Sequence, residues 1–262
     1  MATTSRRVTL ADWYARCGRH DLAWRRTRDR WLVLTSEVML HQTQVARAEV
    51  AWPEFVAQFP TPEATAAAGP AAVIRAWGRL GYPRRARHLY DAAVLIARNG
   101  WPEDLRALPG VGRYTAAAVR AQADGWDVPA VDVNIRRVVQ RVAGQVLPDR
   151  AVEDAMVEIA APLRGRDRLL ALMDVGATVC RPRDPACGGC PLGSRCVTRG
   201  PLDGEVRRKT APFKGSFRER RGQVMAALRS GPVPADALDA EALASLVADG
   251  LARVSRGRAR LP

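Results

Sequence analysis

Four cysteines lie close together in a chain that has only one other, Cys17. They follow the spacing C-x6-C-x2-C-x5-C and are Cys180, Cys187, Cys190 and Cys196. Where thiols stay reduced, such a cluster holds a metal more often than it forms disulfides. Four thiolates satisfy either one tetrahedral zinc ion or the irons of a [4Fe–4S] cluster, and the spacing alone leaves both open. The prolines and glycines among them predict an irregular loop held by its ligands.

Two carboxylates are candidates for acid–base chemistry, although each also has an ordinary structural interpretation. Asp132 opens the segment VDVNIRRVVQRV, where an aspartate can cap a helix by accepting bonds from the next turn. Glu37, in TSEVMLHQTQV, can be a surface carboxylate beside Arg30 or Arg47. If the fold brings both to one cleft, a general acid and a charge-stabilising carboxylate suit the cleavage of a glycosidic bond.

A Gly-x-Gly turn is the third motif. LPGVGRYTAAAV places Gly110 and Gly112 between two segments of helical character. Glycines let two helices turn tightly and expose backbone N–H groups at the start of the second helix, where an anion such as a DNA phosphate can bind. Many helix–turn–helix corners also carry glycine, so this motif does not identify a function by itself.

Helical periodicity dominates the segments that must position these residues. In RRARHLYDAAVLIARNG, the apolar residues recur at helical spacing and the pattern stops at Asn99-Gly100. The same spacing recurs after Asp132, and it predicts buried positions at Leu89, Ala92, Ala93, Ile96, Ile135, Val138, Val139 and Val142. No run of alternating strands precedes the last few residues, so the main body is predicted to be all-α.

The chain changes character after Cys196. Residues 199–216 are polar, basic and rich in proline and glycine, which predicts a linker or surface loop. Residues 217–262 suggest two short helices and a hairpin that turns at Arg256-Gly257. We therefore expect a small winged-helix-like unit at this end of the chain.

Charge and composition indicate a polyanion as the partner. The 262 residues contain 41 Lys plus Arg against 27 Asp plus Glu, a net charge of +14. Such an excess favours nucleic acid, although an arginine-rich genome would also produce it. The chain has no apolar segment that resembles a signal peptide or a membrane span. We expect a cytoplasmic monomer, at the nucleoid while on DNA, with no membrane partner.

The motifs together, in the order SEVMLHQTQV, LGYPRRAR, LPGVGRYTAAAV, VDVNIRRV and the cysteine cluster, resemble the helix–hairpin–helix DNA glycosylase superfamily. The similarity is greatest to its adenine DNA glycosylase (MutY) branch and covers about residues 10–196. It implies that the cysteines hold a [4Fe–4S] cluster. It also implies base excision from double-stranded DNA that contains a mispaired or damaged base.

The resemblance assigns roles to individual residues. Glu37 corresponds to the glutamate that protonates the departing purine, and Asp132 to the aspartate that stabilises the sugar cation. Helpers near the reaction correspond to Tyr114 and Asn134. Side chains that enter the base stack correspond to Gln42 and Tyr82, and residues near the base pocket to Trp24 and Arg25.

The scarcity of lysine bears on the reaction type. Glycosylases that also cut the strand commonly form a Schiff base, and in the related endonuclease III branch that lysine stands where this chain has Tyr114. The only lysines here are Lys209 and Lys214, after the cluster. We therefore predict a monofunctional glycosylase that leaves an abasic site.

Three departures from the branch leave the excised base open. His41 stands where the adenine enzymes usually have glutamine, and Leu170 where some have a polar residue. Residues 197–262 are also too few for the large C-terminal domain that helps those enzymes recognise 8-oxoguanine. Adenine opposite 8-oxoguanine or guanine is our first expectation, and a thymine or uracil mismatch glycosylase is the alternative. A non-catalytic DNA-binding metalloprotein, including a zinc-ribbon protein, is the alternative from another class.

The expected architecture has two all-α lobes with a DNA cleft between them. A helical barrel with the hairpin spans residues 30–128, and residues 1–29 with 129–198 form the cluster lobe. A linker at 199–216 and the winged-helix-like tail at 217–262 follow.

Overall fold

The structure is a computed structural model that describes residues 8–205 and 212–262. The chain separates into two compact units. Unit 1 contains Met1–Arg30 and Arg113–Arg208, and unit 2 contains Trp31–Gly112 and Lys209–Pro262. No helix among the described residues is long and apolar enough to cross a membrane.

Unit 1 is helical. Its helices are α1 (Leu10–Cys17), α6 (Arg113–Gln122), α7 (Val133–Ala143), α8 (Asp149–Ala160) and α9 (Gly165–Asp174). A π-helical turn at Val175–Val179 extends α9 and leads into the cysteine-rich loop. The core contains the stripe of α7 that the spacing predicts, Ile135, Val138, Val139 and Val142. One face of α7 is therefore buried in the unit, and Asp132 lies at its N-terminus.

A buried ion cluster ties the start of the chain to α9. The carboxylate of Asp174 has no exposed surface and pairs with Arg25 at 2.7 Å and with Arg19 at 2.6 Å. Burial alone would raise the pKa of Asp174, but the hydrogen bond and charge of Arg25 outweigh it and lower that pKa. The Asp174 carboxylate is therefore held in its charged form between two guanidinium groups.

We expect Asp174→Asn to lower the free energy of unfolding by about 3–5 kcal/mol, because it leaves the buried Arg25 guanidinium without a counter-charge. Urea unfolding at neutral pH measures the change. Asp154→Asn is a matched control, because Asp154 lies on an exposed part of α8. An Asp174→Asn variant as stable as the wild type would contradict the stabilising role.

Unit 2 has a helical part and a small mixed part. The helical part consists of α2 (Arg30–Leu40), α3 (Val45–Gln58), α4 (Pro62–Trp77) and α5 (Arg84–Asn99). As the spacing predicts, Leu89, Ala92, Ala93 and Ile96 of α5 are buried. The helix ends before Gly100, which has a φ of +74°. A turn of 3-10 helix, Leu105–Ala107, then leads into the glycine-containing hairpin.

The C-terminal part has the predicted winged-helix-like composition. It consists of α10 (Phe217–Ser230), β1 (Val233–Pro234), α11 (Ala240–Ala248), β2 (Arg253–Ser255) and β3 (Arg258–Arg260). The strands form an antiparallel sheet in the order β1-β3-β2. Strands β2 and β3 turn at Arg256-Gly257, where both residues have positive φ, as a two-residue hairpin requires. The all-α body with a small winged-helix-like unit is confirmed.

The boundaries between units differ from those expected. The sequence assigned residues 113–128 to the barrel, whereas Ala118 and Ala121 of α6 lie in the core of unit 1. The apolar face of α6 packs against α9, which explains why the division falls directly after Gly112.

The expected linker also differs in part. Its residues 206–211, including Lys209, lie outside the described residues. Immediately before them, Glu205 pairs with the buried Arg141 at 2.8 Å, and Thr198 donates a hydrogen bond to the Arg141 carbonyl. The chain up to Glu205 is thus packed onto unit 1 and is not a free connection.

Candidate functional site

Asp132 is the N-cap of α7. One carboxylate oxygen, Oδ1, accepts hydrogen bonds from the backbone N–H groups of Asn134 at 2.9 Å and Ile135 at 2.7 Å. The other, Oδ2, accepts a bond from the side-chain amide of Asn134 at 2.8 Å. The capping interpretation is therefore correct. It leaves the negative charge fixed at the positive end of the helix dipole, with a half-buried carboxylate available for chemistry.

A chain of hydrogen bonds runs from this carboxylate to the cysteine loop. Asn134 Oδ1 accepts a bond from Arg137 Nη2 at 3.1 Å, and Arg137 Nε donates to the carbonyl of Cys180 at 2.8 Å. Arg137 also donates to the Gly176 carbonyl at 2.7 Å, and its burial lowers its pKa. Because the guanidinium donates to Asn134 Oδ1, the amide must present its N–H to Asp132.

Gly176 allows this arrangement. A side chain at Gly176 would place its Cβ 2.9 Å from Asn134 Cβ, closer than atoms tolerate. The π-helical turn that contains Gly176 can therefore approach the first turn of α7 closely. The sequence reasoning missed Arg137 and Gly176, although an arginine beside the apolar stripe of α7 was a visible signal.

The other predicted residues of unit 1 lie in its helices. Tyr114, in the first turn of α6, is half-buried, and its hydroxyl donates to the Met173 sulfur at 3.7 Å. Trp24 is buried within a short 3-10 turn. Arg25 makes two bonds to Asp174, so its guanidinium already serves the ion cluster described above. The predicted pocket roles of Trp24 and Arg25 remain predictions.

The four clustered thiols line one cavity. All are free, and the cavity wall is otherwise largely apolar, with side chains from α7 and the π-helical turn, namely Val138, Val142, Val175 and Val179. Within residues 8–205 and 212–262, no three His, Cys, Asp or Glu side chains converge on one point as ligands of a single ion do. Sulfur ligands of one zinc ion would lie on the order of 4 Å apart.

Arg141 borders the cavity from α7. Its Nη1 donates to the Cys180 sulfur at 3.6 Å and to the Arg181 carbonyl at 2.8 Å, while Cys196 Sγ donates to the Arg141 carbonyl at 3.3 Å. Burial raises the pKa of the Cys180 thiol despite the opposing charge of Arg141. A metal centre bound here would displace that proton and gain a sulfur ligand already hydrogen-bonded to a cation.

Glu37 lies in the middle of α2, in unit 2. It is 5% exposed, so the surface-carboxylate interpretation is wrong. Moving a carboxylate out of water is costly, and glycosidases use a carboxyl group kept from water as their general acid. The helical spacing of apolar residues could not predict this burial, because the buried residues beside Glu37, Thr35 and Ser36, are also polar.

Two short loops of unit 2 present the predicted stack-entering residues. Gln42 lies between α2 and α3 and has a φ of +58°, and Tyr82 lies before α5 and has a φ of +47°. Both are exposed, Tyr82 to 45%. Positive φ is uncommon outside glycine and indicates that surrounding contacts hold the backbone in place.

Arg85 supplies those contacts, and the sequence reasoning missed it. Its Nη1 donates to the Val38, Met39 and His41 carbonyls at the C-terminus of α2. Its Nη2 donates to Thr43 Oγ1 at 3.1 Å and to the Gly81 carbonyl at 3.1 Å. The guanidinium also lies 5.4 Å from the centre of the Tyr82 ring. Burial lowers the pKa of Arg85 to about 10, which leaves it charged at neutral pH.

We expect Arg85→Met to lower the free energy of unfolding by about 2–4 kcal/mol, because several carbonyls lose a charged donor. Amide hydrogen exchange should speed up at residues 41–44 and 80–82. Arg85→Lys, a conservative control, should restore little, since an ammonium group cannot reach both loops in the fork geometry of a guanidinium. If amide exchange in both loops is unchanged in Arg85→Met, contacts other than those of Arg85 hold the two loops in place.

The two hairpin glycines differ in what requires them. Gly110 has a φ of +77°, and a Cβ there would lie 2.8 Å from the Cβ of His88. Gly112 has open space where its Cβ would be. The backbone conformation and the close contact with His88 therefore require glycine at position 110 only. At position 112 the absence of a side chain leaves the backbone accessible beside the N-terminus of α6.

Comparison with known proteins agrees with this arrangement of elements. A model of the HhH-GPD superfamily of base excision DNA repair proteins matches residues 35–161. The chain is 43% identical to an adenine DNA glycosylase of Mycolicibacterium smegmatis over 93% of this chain and 91% of that protein. It is 33% identical to an adenine DNA glycosylase of Homo sapiens over 81% of this chain and 43% of that protein.

Solved structures give the same fold. A thermostable thymine-DNA glycosylase is similar with a TM-score of 0.66 and 27% identity over 72% of this chain and 93% of that chain. An endonuclease III in a non-covalent DNA complex has a TM-score of 0.62 and 23% identity, over 72% of this chain and 91% of that chain. At that identity the second likeness concerns the fold alone.

Proposed function

Since the chain belongs to the HhH-GPD superfamily of base excision DNA repair proteins, and within it to the adenine DNA glycosylases, we propose that it removes a mispaired adenine from duplex DNA. Hydrolysis of the N-glycosidic bond leaves an abasic site. The opposing base is 8-oxoguanine or guanine. The observation that carries the proposal is the pair of carboxyl groups with different surroundings, Glu37 buried in α2 and Asp132 at the cap of α7.

The chemistry divides between these two groups. The base must leave the stack before any side chain can reach its glycosidic bond. Gln42 and Tyr82 lie on exposed loops, which supports the proposal that they enter the gap. Glu37 then donates a proton to the base and makes it a better leaving group. Asp132, fixed by three N–H groups, stabilises the positive charge that develops on the sugar. Water completes the hydrolysis.

The enzyme is a monofunctional glycosylase. Strand cleavage through a Schiff base needs an amine at the sugar, commonly that of a lysine, and α6 carries Tyr114 at the position where the endonuclease III branch has one. Lys214, the one lysine among the described residues, is exposed in unit 2. The product is therefore an abasic site in an intact strand.

We further propose that Cys180, Cys187, Cys190 and Cys196 hold a [4Fe–4S] cluster. Four thiols that line one cavity can supply the four ligands of such a cluster, and the motif order that this chain shares with the superfamily favours the cluster over zinc. The bound cluster would hold the irregular loop in place. Its proposed role is structural, because hydrolysis of a glycosidic bond needs no electron transfer. Freshly purified protein should be yellow-brown, absorb near about 400 nm and contain iron. A colourless protein with zinc would overturn this assignment.

Single-turnover reactions test the excised base. Duplexes with A opposite 8-oxoguanine, A opposite G, T opposite G and U opposite G are incubated with excess enzyme and then treated with alkali. We expect release of adenine and no strand break before alkali. If no duplex loses a base, the enzymatic function is wrong.

A thymine or uracil mismatch glycosylase is the second candidate. The similarity to a thermostable thymine-DNA glycosylase favours it, as do His41 and Leu170 at positions that depart from the adenine enzymes. Release of thymine or uracil alone in the same reactions would decide for this candidate against adenine.

A further inference from the structure

The C-terminal hairpin carries four arginines in eight residues. Strand β2 pairs with β3 so that Arg253 lies opposite Arg260 and Ser255 opposite Arg258. Alternate residues of a strand share a face, so the side chains of Arg253, Ser255, Arg258 and Arg260 project from the same side of the hairpin. Arg256 occupies the turn. One face of the hairpin therefore consists almost entirely of guanidinium groups.

These guanidinium groups lack counter-charges. In the part of the chain that the structure describes, Arg253, Arg256 and Arg260 form no ion pair, and Arg258 donates to the Pro232 carbonyl. Nearby carboxylates are already engaged, since Asp249 pairs with Arg221 at 2.6 Å and with Arg84 at 3.5 Å. Like charges directly opposite each other destabilise a strand pair. An anion bound across Arg253 and Arg260 would remove that repulsion.

The hairpin has a defined place in unit 2. Arg87 of α5 donates to the Gly250 carbonyl at 2.8 Å, and Arg84 pairs with Asp249, so the end of α11 lies against the start of α5. Tyr82 precedes α5 by two residues. Adding the reach of these segments gives an upper bound of roughly 35 Å between Tyr82 and Arg253. That span corresponds to about ten base pairs of duplex.

A groove beside the hairpin has the same character. It is open to solvent and is lined by residues of α5, α11 and the two strands, among them Arg87, Val247, Arg253, Ser255 and Arg260. Its wall includes the guanidinium groups of Arg253 and Arg260, the Ser255 hydroxyl and no Asp or Glu side chain, while Arg87 is already paired with Asp91. These groups suit phosphate oxygens, which accept bonds from arginine and from serine.

We propose that this hairpin, through Arg253, Arg256 and Arg260, binds the phosphate backbone of the DNA duplex beside the excised base. The inference rests on the proposed function for the location of the DNA, since Tyr82 is expected to enter the stack there. The contacts are to the backbone and add affinity without reading sequence.

The test measures binding, as a function of salt, to a duplex with one uncleavable abasic-site analogue opposite guanine, which fixes where the protein sits on the DNA. The variant replaces Arg253, Arg256 and Arg260 together by Gln, and the wild type and Arg98→Gln are compared with it. Arg98 is exposed at the opposite end of α5, so Arg98→Gln shows what the loss of one exposed arginine charge away from the hairpin does. One duplex extends about 15 base pairs to each side of the expected position of Tyr82, and two others have either arm cut to about four.

We expect the triple variant to bind the long duplex more weakly and to lower the slope of log K against log salt by about 1 for each contacting arginine. The difference in affinity between the triple variant and the wild type should vanish when the arm that the hairpin contacts is cut, and persist when the other arm is cut. Arg98→Gln should keep the wild-type slope. Unchanged melting temperature and circular dichroism would show that the variant is folded.

An unchanged slope on the long duplex would overturn the proposal, because the arginines would then contact no phosphate of the DNA. A loss of equal size on all three duplexes would overturn it too, because the contact would then not be to the flank. The readout does not require catalysis. If the wild type releases no base from any duplex, the proposed function fails while the binding result still stands for the hairpin.

Discussion

Asp132→Asn is expected to lower the single-turnover rate of base release by about 10³-fold or more, because the sugar cation loses the fixed negative charge that stabilises it. The fold should survive, since asparagine is as good an N-cap as aspartate. One bond is lost: the new amide N–H₂ would face the N–H₂ of Asn134, which now donates to Asp132 Oδ2. That mismatch costs about 1 kcal/mol of stability.

The experiment compares Asp132→Asn with Asp149→Asn. Asp149 stands in the first turn of α8 in the same unit, and its side chain is largely exposed and pairs with Arg136. The control should release base at the wild-type rate. Binding of both variants to the substrate duplex is measured by gel shift and should differ little from the wild type. An Asp132→Asn enzyme with an unchanged rate would refute the assigned role.

Glu37→Gln is expected to lower the same rate by about 10² to 10⁴-fold, the usual contribution of a general acid. Glutamine has the shape of glutamate and cannot donate the proton that the leaving base needs. Because Glu37 is buried, the substitution exchanges one polar group for another of equal volume in α2. We therefore expect the melting temperature to change by much less than the rate.

Glu54→Gln provides the control for Glu37. Glu54 lies exposed on α3 in the same unit, and its backbone carbonyl accepts a hydrogen bond from the Gln58 side chain. Rates are measured with saturating enzyme, so that weaker DNA binding cannot lower them. If Glu37→Gln and Glu54→Gln both keep the wild-type rate, another group supplies the proton.

The helices could be predicted because their signals are local. The apolar stripe of α5 and its stop at Gly100 depend on residues three and four apart, and the structure has both where the pattern puts them. The turn at Arg256-Gly257 was equally local. The boundary after Gly112 was not, since it depends on which core receives Ala118 and Ala121 of α6.

The site was predictable only in part. Motif order indicated Glu37, Asp132 and the four cysteines, because a resemblance compares residue types along the chain. The partners that hold them lie elsewhere: Arg137 connects Asn134 to the Cys180 carbonyl, and Arg85 connects the loops of Gln42 and Tyr82. The spacing of residues along the chain cannot predict that an arginine of one helix, such as Arg85 of α5, donates hydrogen bonds to the end of another, such as α2.

The sequence by itself determined the all-α class, the helices, the cysteine cluster and the kind of chemistry, because periodicity, turn residues and side-chain types act within a few positions. Only the tertiary structure decided that Glu37 is buried, that Asp132 serves as a cap and keeps a fixed charge, and that four thiols share one cavity. Burial and hydrogen-bond geometry depend on which distant segments pack together. The cost of taking charge out of water makes those contacts, rather than residue type alone, set what each group can do.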